Sequence, residues 1–144
     1  MNKLIVIPLM LVTALVIAED PSERPALVPH EIHSITIILD SRLVKLELLK
    51  FSIDGRTLIR EFATLVSRAE SGDDHKCQDI GEIRFGMRDG STVRIGLLPA
   101  HQDGIFNLRF YGADGYSVGQ VDRESLFGLL ERAGIPARDS SFPG

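Results

Sequence analysis

Residues 83–95 read Ile-Arg-Phe-Gly-Met-Arg-Asp-Gly-Ser-Thr-Val-Arg-Ile. Ile83, Phe85 and Met87 alternate with Arg84, Gly86 and Arg88, and Val93 and Ile95 alternate with Thr92 and Arg94. An apolar–polar period of two marks strands with one buried face. Arg88-Asp89-Gly90 suits a three-residue hairpin loop with glycine at the left-handed position. Such a loop pairs Met87 with Ser91, Phe85 with Val93 and Ile83 with Ile95, which brings every apolar residue to the same face.

The pattern continues on the carboxyl side. Ala113-Asp114-Gly115 has the same form and predicts that Phe110 pairs with Val118, with Phe106 and Leu108 extending the inner face. A loop around residues 101–104 joins the two hairpins, and the product is a four-stranded antiparallel meander over residues 80–121. On the amino side, the β-branched run at residues 35–39 predicts a strand, Asp40-Ser41-Arg42 a turn, and residues 43–53 a second strand. The apolar parity of that strand switches near Leu48-Leu49, which predicts a bulge.

Two helices complete the pattern. Leu58, Phe62, Leu65, Val66 and Ala69 fall on one face of a helix over residues 57–70, stopped by Ser71-Gly72. Asp54-Gly55 offers a competing hairpin turn, with residues 57–61 as strand. After the meander, Asp122 is an N-cap, and Leu126, Leu129, Leu130 and Ala133 form an apolar stripe. Val121 and Leu126 take the two positions of a hydrophobic staple, and Gly134 and Pro136 end the helix. The order is ββαββββα. The expected fold is α+β, an antiparallel sheet of two strands plus a four-stranded meander with two helices packed on one face.

The amino terminus carries an address. Lys3, an apolar run over residues 4–17 and Ala18 before Glu19-Asp20 have the charge, core and small-residue exit of a cleavable signal peptide. The run is shorter than a bilayer core requires and contains Pro8. The expected division is a signal peptide at 1–18, a linker punctuated by Pro21, Pro25 and Pro29 at 19–32, one globular domain at 33–136 and a tail at 137–144. The mature protein is expected in the periplasm or the medium, with no membrane span after cleavage.

The formal charge of the whole chain is −4, and one unit more negative without the leader. An acidic domain argues against nucleic acid as a partner. Cys77 is the only cysteine, so no disulfide forms within the chain. It is also the only thiol for a thiol-dependent enzyme, with His75 or His101 as base, but its acidic flank, Asp73 and Asp74, opposes the thiolate a nucleophile needs. No nucleophile-elbow serine and no glycine-rich phosphate loop occurs, and no cofactor is implied. His30, His33, His75 and Cys77 could together supply four zinc or copper ligands, at spacings that are weak evidence for a site.

The outward positions of the meander are more informative. The hairpin register sets Arg84 opposite Arg94, an unfavourable like-charge pair. If alternation persists through the next connection, Arg94 sits beside Tyr111 and Arg109 beside Gly96. Asn107 then lies nearby, and Gly86, Gly96 and Gly119 leave the face low. Arginine and tyrosine are enriched at binding hot spots, and guanidinium forks suit carboxylates and phosphates. The leading expectation is a non-catalytic interaction module that takes a protein or anionic ligand through Arg84, Arg94, Arg109, Tyr111 and Asn107. The competing reading is a solvated sheet face neutralised by Glu82 and other surface acids.

Overall fold

The computed structural model describes residues 24–39, 49–73, 76–99 and 102–135. The expected signal peptide, the turn at Asp40-Ser41-Arg42, Leu48 of the expected bulge, His75, His101 and the tail at 137–144 lie outside the described residues. The strands are β1 (Ile32–Leu39), β2 (Leu49–Ile53), β3 (Glu70–Ser71), β4 (Gly81–Met87), β5 (Thr92–Leu97), β6 (Ile105–Gly112) and β7 (Gly115–Asp122). The helices are α1 (Arg56–Ser67) and α2 (Arg123–Arg132). All seven strands form one antiparallel sheet in the order β2-β1-β4-β5-β6-β7-β3. The fold is α+β, as the sequence pattern predicts.

The β4–β5 hairpin has the predicted register, with Ile83 opposite Ile95, Arg84 opposite Arg94 and Phe85 opposite Val93. Gly90 adopts φ +89°, a conformation that side-chain-bearing residues rarely take, and Met87 N–H donates to Ser91 O at 2.9 Å. The Asp89 carboxylate closes the loop by accepting from the backbone N–H and hydroxyl of Ser91, which holds its carboxyl below the ordinary value.

The second hairpin differs by one residue. Tyr111 pairs with Tyr116 and Gly112 with Gly115, so Ala113-Asp114 is a two-residue loop and Phe110 faces Ser117 instead of Val118. A slip of one residue reverses every side chain of a strand. Val118 therefore lies on the outer face, while Gly119 lies on the inner face opposite Leu108. The expectation that Gly119 lowers the outer face is corrected: a Cβ there would meet the Phe110 ring at 2.7 Å, inside the core.

Both helices pack on the inner face. The buried stripe of α1 is Ile59, Phe62, Ala63 and Val66, the i, i+3, i+4, i+7 pattern, with Leu58 and Leu65 half-buried beside it. The helix begins at Arg56, so the Asp54-Gly55 hairpin does not form. It ends at Ser67, earlier than predicted, because Glu70-Ser71 leave it to pair with Gln120 and Gly119 of β7. Asp122 caps α2 by accepting from Ser125 N–H at 2.8 Å, and Val121 and Leu126 are both buried as a staple requires. Phe106 of the sheet meets Phe127 of α2 edge to face, with ring centroids 6.1 Å apart.

Residues of the proline-punctuated segment also touch this core. Leu27 is buried, and the Arg24 guanidinium lies 4.7 Å from the Phe110 ring centroid and donates to the Ala69 carbonyl. Among the described residues, no helix is long and apolar enough to cross a membrane.

Candidate functional site

With the helices on one side, the other face of the sheet presents Thr36 from β1, Glu82 and Arg84 from β4, Arg94 and Gly96 from β5, and Asn107, Arg109 and Tyr111 from β6. Alternation places them there, since each is a neighbour of an inward apolar residue. Gly96 pairs with Arg109, and the Arg94 guanidinium lies 5.4 Å from the Tyr111 ring centroid. The sequence-predicted neighbours Arg84, Arg94, Arg109, Tyr111 and Asn107 thus share one face.

Residues 77–79, ahead of β4, divide that face. Asp79 lies directly over Gly96, where any Cβ would collide with its carboxylate. Arg109 Nη1 donates to Asp79 Oδ1 at 2.6 Å, Arg109 Nη2 donates to the Cys77 carbonyl at 2.9 Å, and the Tyr111 hydroxyl donates to Asp79 Oδ2. Tyr116 supplies a ring beneath the Arg109 guanidinium, 4.6 Å from it. Gly72 covers Val118 and approaches Asn107. Asn107 is only 3% exposed and the Arg109 side chain 10%. The β6–β7 half of the face is therefore a closed polar network.

The β4–β5 half is open. Glu82 lies between the two opposed arginines. Arg84 Nε donates to Glu82 Oε1 at 2.6 Å, Arg94 Nε to the same oxygen at 2.7 Å, and Arg94 Nη2 to Oε2 at 3.2 Å. Glu82 is 15% exposed, whereas Arg84 and Arg94 are 44% and 54% exposed. One carboxylate thus bridges two guanidiniums and relieves the like-charge opposition of the ladder, leaving one net positive charge facing water.

The electrostatics follow the geometry. Burial alone raises the Glu82 carboxyl, but the hydrogen bonds from Arg94 and Arg84 outweigh it and hold it below the ordinary 4.5. Hydrogen bonding to Glu82 raises Arg94 further into its charged range. Burial, followed by the bond to Asp79, pushes the Tyr111 phenol above its ordinary value of 10.0, so it stays a donor. Burial opposes the charge on Arg109, yet Tyr111 and Asp79 hold its guanidinium above its ordinary value.

Sequence reasoning missed Asp79 as the organiser of the closed half. It lies in a segment without periodicity, and its role depends on a tertiary crossing. The only local signal is Gly96, a strand glycine that marks close approach of another group.

The alternative ligand set is not assembled among the described residues. The His30 carbonyl accepts from Arg88 Nε, the His33 imidazole lies against Gly86, and the Cys77 carbonyl serves Arg109. No group of three or more His, Cys, Asp and Glu side chains that could hold a metal occurs among the described residues. Comparison of the chain with protein-family models, curated proteins and solved structures found no match.

Proposed function

We propose that this chain is an exported, non-catalytic binding module that engages an anionic protein partner through the open half of its sheet. The carrying observation is the exposed Arg84–Arg94 pair, held across Glu82 on a face that neither helix covers. Arg84 and Arg94 make the contact, and Tyr111 offers an aromatic flank under Arg94. Arg109 and Asn107, buried beneath the crossing chain that Asp79 ties to Arg109, act as rigid backing. Fixed guanidiniums lose little side-chain freedom on binding, which favours affinity.

Export rests on the leader-like residues 1–18. The acidic total charge disfavours non-specific binding of polyanions and leaves attraction to local basic clusters such as this one.

Retention on immobilised polyglutamate at low salt tests the reading. The expected result is retention by the wild-type chain, loss in Arg94→Glu with an unchanged far-ultraviolet circular dichroism spectrum, and weakening as salt is raised. Equal retention of Arg94→Glu refutes it.

A further inference from the structure

The Arg84–Arg94 pair has donor capacity that the protein does not use. Glu82 takes Nε of Arg84, and Nε and Nη2 of Arg94. The other guanidinium N–H groups have no acceptor among the described residues, and both side chains are about half exposed. Hydroxyls flank the pair. Thr36 stands directly opposite Arg84, while Ser34 and Thr92 stand on either side of Gly86, the next outward position of β4. The His33 ring lies over Gly86 on the same face, where a Cβ would meet it at 2.9 Å.

We propose that this cluster binds a tetrahedral oxyanion, a phosphate or sulfate group carried by the ligand, and that Glu82 sets its affinity. The inference rests on the binding-face reading above and names the group recognised there. A monocarboxylate brings the same charge that Glu82 already supplies, and only two oxygens. A phosphate or sulfate ester brings three terminal oxygens, enough to reach both guanidiniums and a flanking hydroxyl at once, and a phosphate ester carries nearly two negative charges. Glu82, fixed between the arginines, repels any such anion and keeps binding weak enough to be reversible.

Calorimetric titration of the full chain with inorganic phosphate, inorganic sulfate and succinate tests this. Phosphate or sulfate is expected to bind at least severalfold more tightly than succinate, and whichever of the two is preferred assigns the ester. Glu82→Gln removes one negative charge about 6 Å from the bound anion. Against a dianion at a half-exposed surface, where the effective dielectric approaches the value of water, about 80, this strengthens oxyanion binding about tenfold. Arg84→Gln and Arg94→Gln each weaken it by a similar factor, with circular dichroism verifying the fold of every variant. Succinate binding equal to that of both oxyanions, or unchanged affinity in Glu82→Gln, overturns the inference. If polyglutamate retention still depends on Arg94, that failure is confined to the oxyanion; if it does not, the binding-face reading fails as well.

Discussion

Replacing Asp79 by alanine removes the acid that ties the crossing chain to the sheet. The lost interactions are one charge-assisted hydrogen bond to Arg109 and one hydrogen bond from Tyr111. Both have an ionised acceptor, and such bonds are worth about 1.5–3 kcal/mol each before solvent screening of the partly exposed carboxylate. Arg109 keeps its Cys77 carbonyl and its Tyr116 ring, and water can enter where a partly exposed carboxylate stood. Allowing for that, the expected loss is about 2–3 kcal/mol, a fall in Tm of about 8–12 °C for a domain of this size. Urea denaturation followed by circular dichroism measures it. A cycle with Arg109→Met isolates the pair, with an expected coupling of at least about 1 kcal/mol. A cost below about 0.5 kcal/mol for Asp79→Ala, or strict additivity with Arg109→Met, refutes the view that this network closes half of the face.

Three further outcomes follow from the same geometry. In Tyr116→Phe, Tyr111 is the sole tyrosine, and its tyrosinate absorbance should appear with a midpoint above 10.0. Because the folded value is raised, the stabilisation it brings is complete below pH 10 and lost as pH rises through the folded value. Asp122→Ala should cost about 1 kcal/mol through loss of the α2 cap. The Asp122 carboxyl is held below its ordinary 3.8 by its bonds to Ser125, so that contribution is present above 3.8 and disappears as pH falls through the folded value. Gly96→Ala drives a methyl group into the Asp79 carboxylate and should cost about 1–3 kcal/mol in denaturant titration, with most of that cost absent in an Asp79→Ala background.

The first hairpin was legible because its loop offers a single glycine at the one position that needs φ above zero, so turn chemistry and alternation select the same register. The second hairpin has glycine at both 112 and 115, and its alternation is weak, because Ser117 and Gly119 stand at inward positions. A two-residue loop was therefore as available as a three-residue one, and the structure adopts it. The short strand Glu70-Ser71 carries no periodicity that could separate it from a fraying helix end. On the candidate face, alternation correctly placed Arg84, Arg94, Arg109, Tyr111 and Asn107 outward. It could not show that Asn107 lies against Gly72 and Arg109 beneath residues 77–79, since that covering depends on tertiary contacts, among them a long-range ion pair with Asp79. Outward parity says which side of a sheet a residue takes; what lies over that side is a tertiary fact.

Glu82 shows how the two readings of the face combine. It neutralises part of the arginine charge, as a solvated surface requires, yet it also fixes both guanidiniums in place. The ladder opposition of Arg84 and Arg94 costs energy that a neutral pair avoids, and Glu82 offsets that cost only partly. The residual positive charge on an open face of an acidic protein is the feature on which the binding proposal depends.

The most direct test is a nitrogen–proton correlation spectrum of the labelled chain, including the arginine Nε–H signals, recorded during titration with soluble polyglutamate. The account predicts shifts concentrated at Arg84, Arg94 and their neighbours Thr36 and Thr92, with α1 and α2 unmoved. Shifts centred on the helices, or none at these arginines while polyglutamate binds, would contradict it.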